Sequence, residues 1–303
     1  MAQSELYEEN GRYYHSFQRG LYWLPHDDTE CERLDVLHNL FYGSEQLNLP
    51  LHTSPLHPRQ GDLLKILDVG CGTGFWAIDM ADKFDSTAEV IGIDLVNAQP
   101  QLVPRNSSFL PHRNFNDRFW PFAEEHFDLI HLSMITGCVV NWQQLYSNVF
   151  RYLRSTDGYI EHLEFDLTPR HIGGPLAVNS VIMRFWQDLV HASSTAGRPV
   201  QYDPDTTKRD LAGAGFVDIE CRVVAVPWHY DPRRDLNFRI GATFDVAFLK
   251  GGGLESYCLA PFSRVNEWSV EQIRAYIKAV TEEFHSSRVE LESRVYIWRA
   301  RKP

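Results

Sequence analysis

The sequence predicts an α/β protein built on a doubly wound, mostly parallel sheet of seven strands. Three observations carry that prediction. Short apolar runs of strand length alternate with segments whose apolar residues recur at helical spacing. The first clear run, Leu64, Ile66, Leu67 and Val69, ends in Gly70, Gly72 and Gly74 and is followed at once by a helical segment. The next run ends in a carboxylate, Asp94, where the carboxyl end of a parallel strand opens on a ligand cleft.

Each element follows from local pattern. Residues 1–60 are expected as an N-terminal cap or lid on a domain spanning 61–303. The cap alternates aromatic and polar residues (Tyr7, Tyr13, Tyr14, Phe17, Tyr22, Trp23), and Leu34, Leu37, Leu40 and Phe41 then place a helix from about Asp28 to Tyr42. His52 to Gln60, with Pro55 and Pro58, reads as a linker. After the glycine turn, Ala77, Met80, Ala81 and Phe84 form one helix face. Strands are expected at 64–69, 89–94, 108–112, 127–133, 158–165, 216–226 and 295–299. Trp142, Leu145, Tyr146, Val149 and Leu153 mark the buried face of a helix from Asn141 to Leu153. Val181 to Leu189 marks another helix after the Gly173-Gly174-Pro175 break, and a further one leads to Gly215. Ser269 and Gln272 have the spacing of a capping box for a helix running to about Phe284. Helical insertions are expected at about 170–215 and 230–268.

Composition bounds the function. With 44% hydrophobic and 23% charged residues, the chain has the make-up of an ordinary globular protein. A net charge of −11 with no long basic run argues against a broad nucleic-acid footprint, so no direct nucleic-acid partner is expected. The five cysteines form no CxxC pair, and an odd, scattered set fits a reducing compartment. The polar N-terminus lacks the apolar core of a signal peptide, and no run approaches the roughly 18 apolar residues of a membrane span. A nuclear and/or cytoplasmic protein, not a secreted one, is expected. No histidine or cysteine spacing of a metal site is visible, so no metal is expected.

The glycine turn decides the ligand class. A dinucleotide fingerprint needs a third glycine at the position Phe75 occupies, and no Gly-Lys-Ser/Thr completes a phosphate loop. Asp94 stands where an acid accepts hydrogen bonds from ribose hydroxyls, and Asp68 can orient the turn or take a ligand ammonium.

LDVGCGTG followed by VIGID resembles motifs I and II of the class I S-adenosylmethionine-dependent methyltransferases, whose fold is Rossmann-like. The resemblance implies S-adenosyl-L-methionine as cofactor, with its amino-acid end on the glycine turn and its ribose on Asp94. Within those motifs Asp68, Gly70, Cys71, Gly72, Gly74, Asp94 and Leu95 form the implied cofactor-binding set. An acidic or amide residue is implied beside the adenine after the third strand. Asn114, Asn116 and Asp117 all stand there, and spacing does not choose among them. FDLIHLS resembles the fourth motif, so Ser133 and Met134 are implied to border the methyl donor. The Lys-Pro-Gly-Gly usual before the fifth strand is replaced by a turn from Arg154 to Gly158. ENGRYYHSFQRGLYWLPHDDTECERLDVLHNLF, FDLIHLSMITGCVVNW, GYIEHLEF and SYCLAPFSRVNEWSVEQI are similar to the fungal LaeA-like methyltransferases, a group that includes VipC and VapB. That resemblance covers nearly the whole chain. It implies nuclear residence or shuttling, a complex with velvet-family proteins, and control of secondary metabolism and development.

Methyl transfer from a sulfonium is an in-line displacement, so alignment supplies much of the acceleration. A hydroxyl acceptor needs a base, whereas an amine or thioether needs none. For His15, His38, His131 and His162, a packed or surface role is the expected one. Glu161 and Glu164 fall on opposite faces of the fifth strand and form no acid pair, Glu164 being nearer the cleft end. No catalytic residue is assigned. Tyr13 and Tyr14 are the favoured lid residues of the aromatic cap, able to shield a cationic sulfonium. The alternatives to a regulatory methyltransferase are a small-molecule O- or N-methyltransferase of secondary metabolism and a cofactor-binding scaffold subunit without turnover.

Overall fold

A computed structural model describes residues 6–43, 46–58, 61–172, 174, 179–228, 235–286 and 290–303, with the side chains of 235–239 outside that description. The chain opens with an antiparallel hairpin, β1 (Leu6–Glu9) and β2 (Arg12–His15). The helix α1 (Asp28–Tyr42) follows, with Asp27 as its N-cap accepting from the Glu30 N–H at 3.1 Å. Then come β3 (Leu64–Val69), α2 (Phe75–Phe84), β4 (Ala88–Ile93), β5 (Ser107–Leu110), β6 (Leu129–Ser133) and α3 (Trp142–Tyr152). The long strand β7 (Gly158–His171) leads to α4 (Val181–Thr195), α5 (Pro204–Ala214) and β8 (Val217–Pro227). Helix α6 (Asp235–Phe244), a π-helical stretch (Asp245–Lys250), α7 (Gly253–Arg264) and α8 (Val270–Ser286) precede β9 (Leu291–Lys302).

The seven-stranded sheet runs β5-β4-β3-β6-β7-β9-β8. Its first four pairings are parallel and β9 is antiparallel to both neighbours, the arrangement expected for a mostly parallel sheet with one reversed strand. The carboxyl ends of β3, β4 and β6 therefore point the same way and build one cleft. The glycine-turn element, the carboxylate after β4 and the helix capped by Asn141 stand where local pattern puts them. The capping box is present in both directions: Ser269 N–H donates to Gln272 Oε1 at 2.8 Å, and Gln272 N–H to Ser269 Oγ at 3.3 Å.

Some features lie beyond local pattern. The cap is a hairpin plus a helix, and the hairpin was invisible as a strand pair. β7 runs well past Phe165 because β9 stays paired with it to His171. Between β8 and β9 the last helix, α8, follows the Ser269 capping box and ends at Ser286, close to the Phe284 expected from sequence. Gln60, Gly173, Pro175 and the start of the insertion expected at 230–268 lie outside the described residues. Helices α4, α6, α7 and α8, with the π-helical stretch Asp245–Lys250 that follows α6, bury Phe185, Trp186, Phe244, Phe248, Phe262 and Phe284 against Phe165 and Val295 of the sheet. Each such side chain contributes about 1.5–3 kcal/mol when fully buried, so these helices share one core with the sheet. Among the described residues no helix is long and apolar enough to cross a membrane.

Candidate cofactor and active site

The site starts at the turn after β3. Gly70 and Cys71 N–H both donate to Ile93 O, at 2.9 and 3.1 Å, which fastens the turn to the end of β4. Gly74 has φ +82° and caps α2, and a Cβ there would lie 2.8 Å from the Phe109 ring. Only glycine fits that position. Asp94, partly buried at the end of β4, accepts from Gly72 N–H at 2.8 Å through Oδ2 and from Val96 N–H at 3.2 Å through Oδ1. Burial pushes its carboxyl pKa up, against the opposing pull of those backbone donors.

Asp68 and His131 are register partners on β3 and β6. Both are buried, with His131 Nδ1 2.8 Å from Asp68 Oδ1. The imidazole stacks on the Trp76 indole at 3.7 Å between centroids and 9° between planes. Trp76 Nε1–H donates to Leu51 O at 2.9 Å, tying the stack to the residue that precedes the linker. His131 thus orients the carboxylate below the glycine turn, a more specific task than the packed role read from sequence.

A cavity of about 140 Å³ opens above these groups. Its floor is Asp68, Gly70, Cys71, Gly72, Asp94 and Leu95. One side wall is Phe115, Asn116, Ser133, Met134 and Ile135. The cap supplies the roof through Tyr22, His26, Glu30, Leu34 and His38. Among the described residues three carboxylates line this cavity, Glu30, Asp68 and Asp94, and none of the lining residues is Lys or Arg. A cavity of that charge favours a cationic ligand and disfavours a phosphate.

The roof is fastened from several sides. Arg12 grips Asp27 with Nε at 2.6 Å and Nη2 at 2.8 Å. Between them, Phe17 packs on His112 at 5.1 Å and Asn114 Nδ2–H donates to Gln18 Oε1 at 2.8 Å. Arg198 Nε–H donates to Leu21 O at 3.3 Å.

After β6, Met134 has φ +52° and its following loop is held by Glu164. Glu164 Oε1 accepts from Ile135 N–H at 2.9 Å, Thr136 N–H at 3.0 Å and His162 Nε2 at 3.0 Å. His162 Nδ1 in turn meets Tyr146 OH at 3.0 Å. Glu161 points elsewhere, its Oε1 accepting from Thr53 and Ser54. The two glutamates are on opposite faces, and Glu164 braces a loop behind the cavity wall.

Of the residues singled out from sequence, Asp68, Gly70, Cys71, Gly72, Asp94, Leu95, Asn116, Ser133 and Met134 meet around this cavity. Gly74 sits one step back as the cap of α2. Asn116 alone of the three adenine-side candidates lines the cavity, with its amide spanning Cys138 O and Val140 N–H at 3.1 and 2.8 Å. Asn114 is spent on Gln18 and on Asn116 N–H, and Asp117 on the α3 side receives Asn148 at its carbonyl. Tyr13 and Tyr14 do not line the cavity. Tyr13 is exposed, while Tyr14 is buried and stacked on Tyr7 with Arg264 over its ring. Alternation along β2 turns these neighbours to opposite sides, and Tyr22 takes the roof position instead. Glu30, Trp76 and Phe115 were missed. Glu30 has the sequence signal of a first-turn capping acid, and Trp76 that of an ordinary helix-face residue. Among the described residues no group of three or more His, Cys, Asp or Glu is placed to hold a metal ion.

Comparison with known proteins identifies the family. Residues 43–220 match the family model described as a methyltransferase domain. The secondary metabolism regulator LAE1 of Cochliobolus heterostrophus is 38% identical over 303 residues, covering 100% of this chain and 96% of that protein. The secondary metabolism regulator laeA of Aspergillus flavus is 37% identical over 301 residues, covering 98% of this chain and 78% of its own length. The protein-methionine methyltransferase laeA of Emericella nidulans is 36% identical over 304 residues, covering 99% and 77%. The chain is a methyltransferase-domain protein of the LaeA/LAE1 family of secondary metabolism regulators.

Proposed function

We propose that the protein binds S-adenosyl-L-methionine in this cavity and transfers its methyl group as part of a regulatory assembly. The observation that carries the reading is the floor: a cavity at the carboxyl ends of β3, β4 and β6, lined among the described residues by no Lys or Arg, with Asp68 and Asp94 on either side of a glycine turn. The donor set suits a ligand with an ammonium, a sulfonium and a ribose. Asp68, oriented by His131, takes the ammonium. Asp94 keeps a lone pair on each oxygen beyond those given to Gly72 and Val96, enough for the ribose hydroxyls. Asn116 and Phe115 take the adenine side, and Ser133 and Met134 border the donor. When bound, the cofactor supplies an activated methyl group; the chain's residues align it and exclude water under the cap.

The acceptor class we favour is a thioether on protein, because the Emericella nidulans relative is named for protein methionine. A thioether attacks without a base, which suits a wall where Glu164 and His162 are committed to structure. The partners we propose are velvet-family proteins, and the compartment is the nucleus, both from the family resemblance.

The test is calorimetric titration of S-adenosylmethionine into the wild type, Asp94→Ala and Gly72→Val. Saturable binding by the wild type and at least tenfold weaker binding by both variants is the expected result. No heat from the wild type at concentrations well above micromolar overturns the cofactor reading. Co-purification with velvet proteins then supports the regulatory assembly, and its absence counts against it.

A further inference from the structure

The third carboxylate of the cavity has no part in the scheme above. Glu30 lies in the first turn of α1, where an acid ordinarily faces water and favours the helix dipole. Here it is 2% exposed and lines the roof of the cavity. Arg33, one turn on, grips both its oxygens, Nε to Oε2 at 2.8 Å and Nη2 to Oε1 at 2.5 Å. The guanidinium does not line the cavity. It lies behind the carboxylate with Phe248 and Tyr257 rings at 5.7 and 5.2 Å. The pair is therefore a buried dipole with its negative end on the cavity.

Stability does not call for such a pair, since a buried ion pair replaced by apolar groups of similar size is often neutral or stabilising. Anchoring of the cap does not call for it either, because Arg12 and Asp27 serve there. Two groups that share the cavity lining with Glu30, Tyr22 and Cys138, are neutral. Burial pushes the Tyr22 phenol and the Cys138 thiol up, and the nearby carboxylates, Glu30 and Asp94 among them, push both further.

We infer that Glu30 is the counter-charge for the cationic sulfonium, making the cavity prefer the charged methyl donor over its neutral demethylated product. This rests on the cofactor reading proposed above. It gives the cap a chemical role beyond closure: once the methyl group leaves, the roof loses its attraction for what remains, and release of the spent cofactor is favoured.

The test compares three probes by calorimetry: S-adenosylmethionine, sinefungin, which carries an amine in place of the sulfonium, and S-adenosylhomocysteine, which is neutral there. The variants are Glu30→Gln and the double variant Glu30→Gln/Arg33→Met, which also removes the buried cation and carries the test should the single variant not fold. The expected result is a loss of about tenfold in affinity for the two charged probes relative to the neutral one. An equal loss for all three, or no change in the ratio, overturns the inference and leaves the cofactor reading standing. If the wild type binds none of the three, it is the cofactor reading that fails.

Discussion

Asp94 shows how function and stability pull apart at a single residue. Burial raises its carboxyl pKa, so the ionised form costs the folded state something that the unfolded chain does not bear. The sign follows directly. For an acid whose folded pKa is raised, protonation or neutralisation relieves the folded protein, and ionisation at neutral pH works against it. Asp94→Asn is therefore expected to raise the melting temperature of the ligand-free protein by about a degree or two, while weakening cofactor affinity by at least tenfold. Calorimetry with and without ligand measures both; a fall in both would mean that the carboxylate stabilises the turn instead. Gly74 is the opposite case. Its φ of +82° and the 2.8 Å approach of Phe109 leave no room for a methyl group, so Gly74→Ala is expected to cost about 1–3 kcal/mol, read as a lower denaturation midpoint. Wild-type stability in that variant would show that the turn relaxes freely. Residues such as these were legible in the sequence, because glycine spacing and a strand-end acid are local signals. Glu30 and Trp76 were not. What sets them apart is a partner distant in the chain or a wall supplied by another element, and neither leaves a mark on neighbouring residues.

At the scale of elements, the hairpin β1–β2 is the part that local pattern missed. Its strands are four residues each and mix charged with aromatic side chains. What fixes it is tertiary: Arg264 of α7 reaches Glu9 with Nε at 2.9 Å and Nη2 at 2.8 Å, and Arg12 reaches Asp27. The Arg264 hydrogen bond and charge hold the Glu9 carboxyl below its usual range, outweighing partial burial. A depressed acid contributes stability above its unfolded pKa and loses it as pH falls through the folded value. The stability gap between wild type and Glu9→Gln is thus expected to be full at neutral pH and to close below roughly pH 4–5. Melting curves across that range check it, and a gap that widens on acidification would contradict the assignment. Helix α1 was legible because its apolar spacing is regular, yet which of its polar residues would face the cavity was not. Helices α6 and α7 were harder to delimit, since their apolar residues serve a core shared with α4 and with β7.

Across the whole molecule, the sheet order brings three strand ends to one cleft, and the cap closes it. Parallel strands leave strong periodic signals, which is why the α/β class and the position of the cleft could be read early. The cap's docking could not, because it depends on contacts such as Phe17 with His112 and Gln18 with Asn114, nearly a hundred residues apart. These contacts tie the cap to the loop that follows β5. Phe17→Ala/Gln18→Ala is expected to speed cofactor association and dissociation together by several fold, with a smaller change in affinity, as stopped-flow fluorescence would record. Unchanged rates would place the entrance elsewhere.

The central claim is that the cavity between Asp68, Asp94 and the glycine turn holds S-adenosylmethionine. Its most direct test is equilibrium binding of that compound to the wild type and to Asp94→Ala, with circular dichroism confirming that both are folded. Stoichiometric, saturable binding that weakens at least tenfold in the variant is the predicted result. A folded wild type that gives no binding, or a variant that binds as tightly as the wild type, would contradict the account.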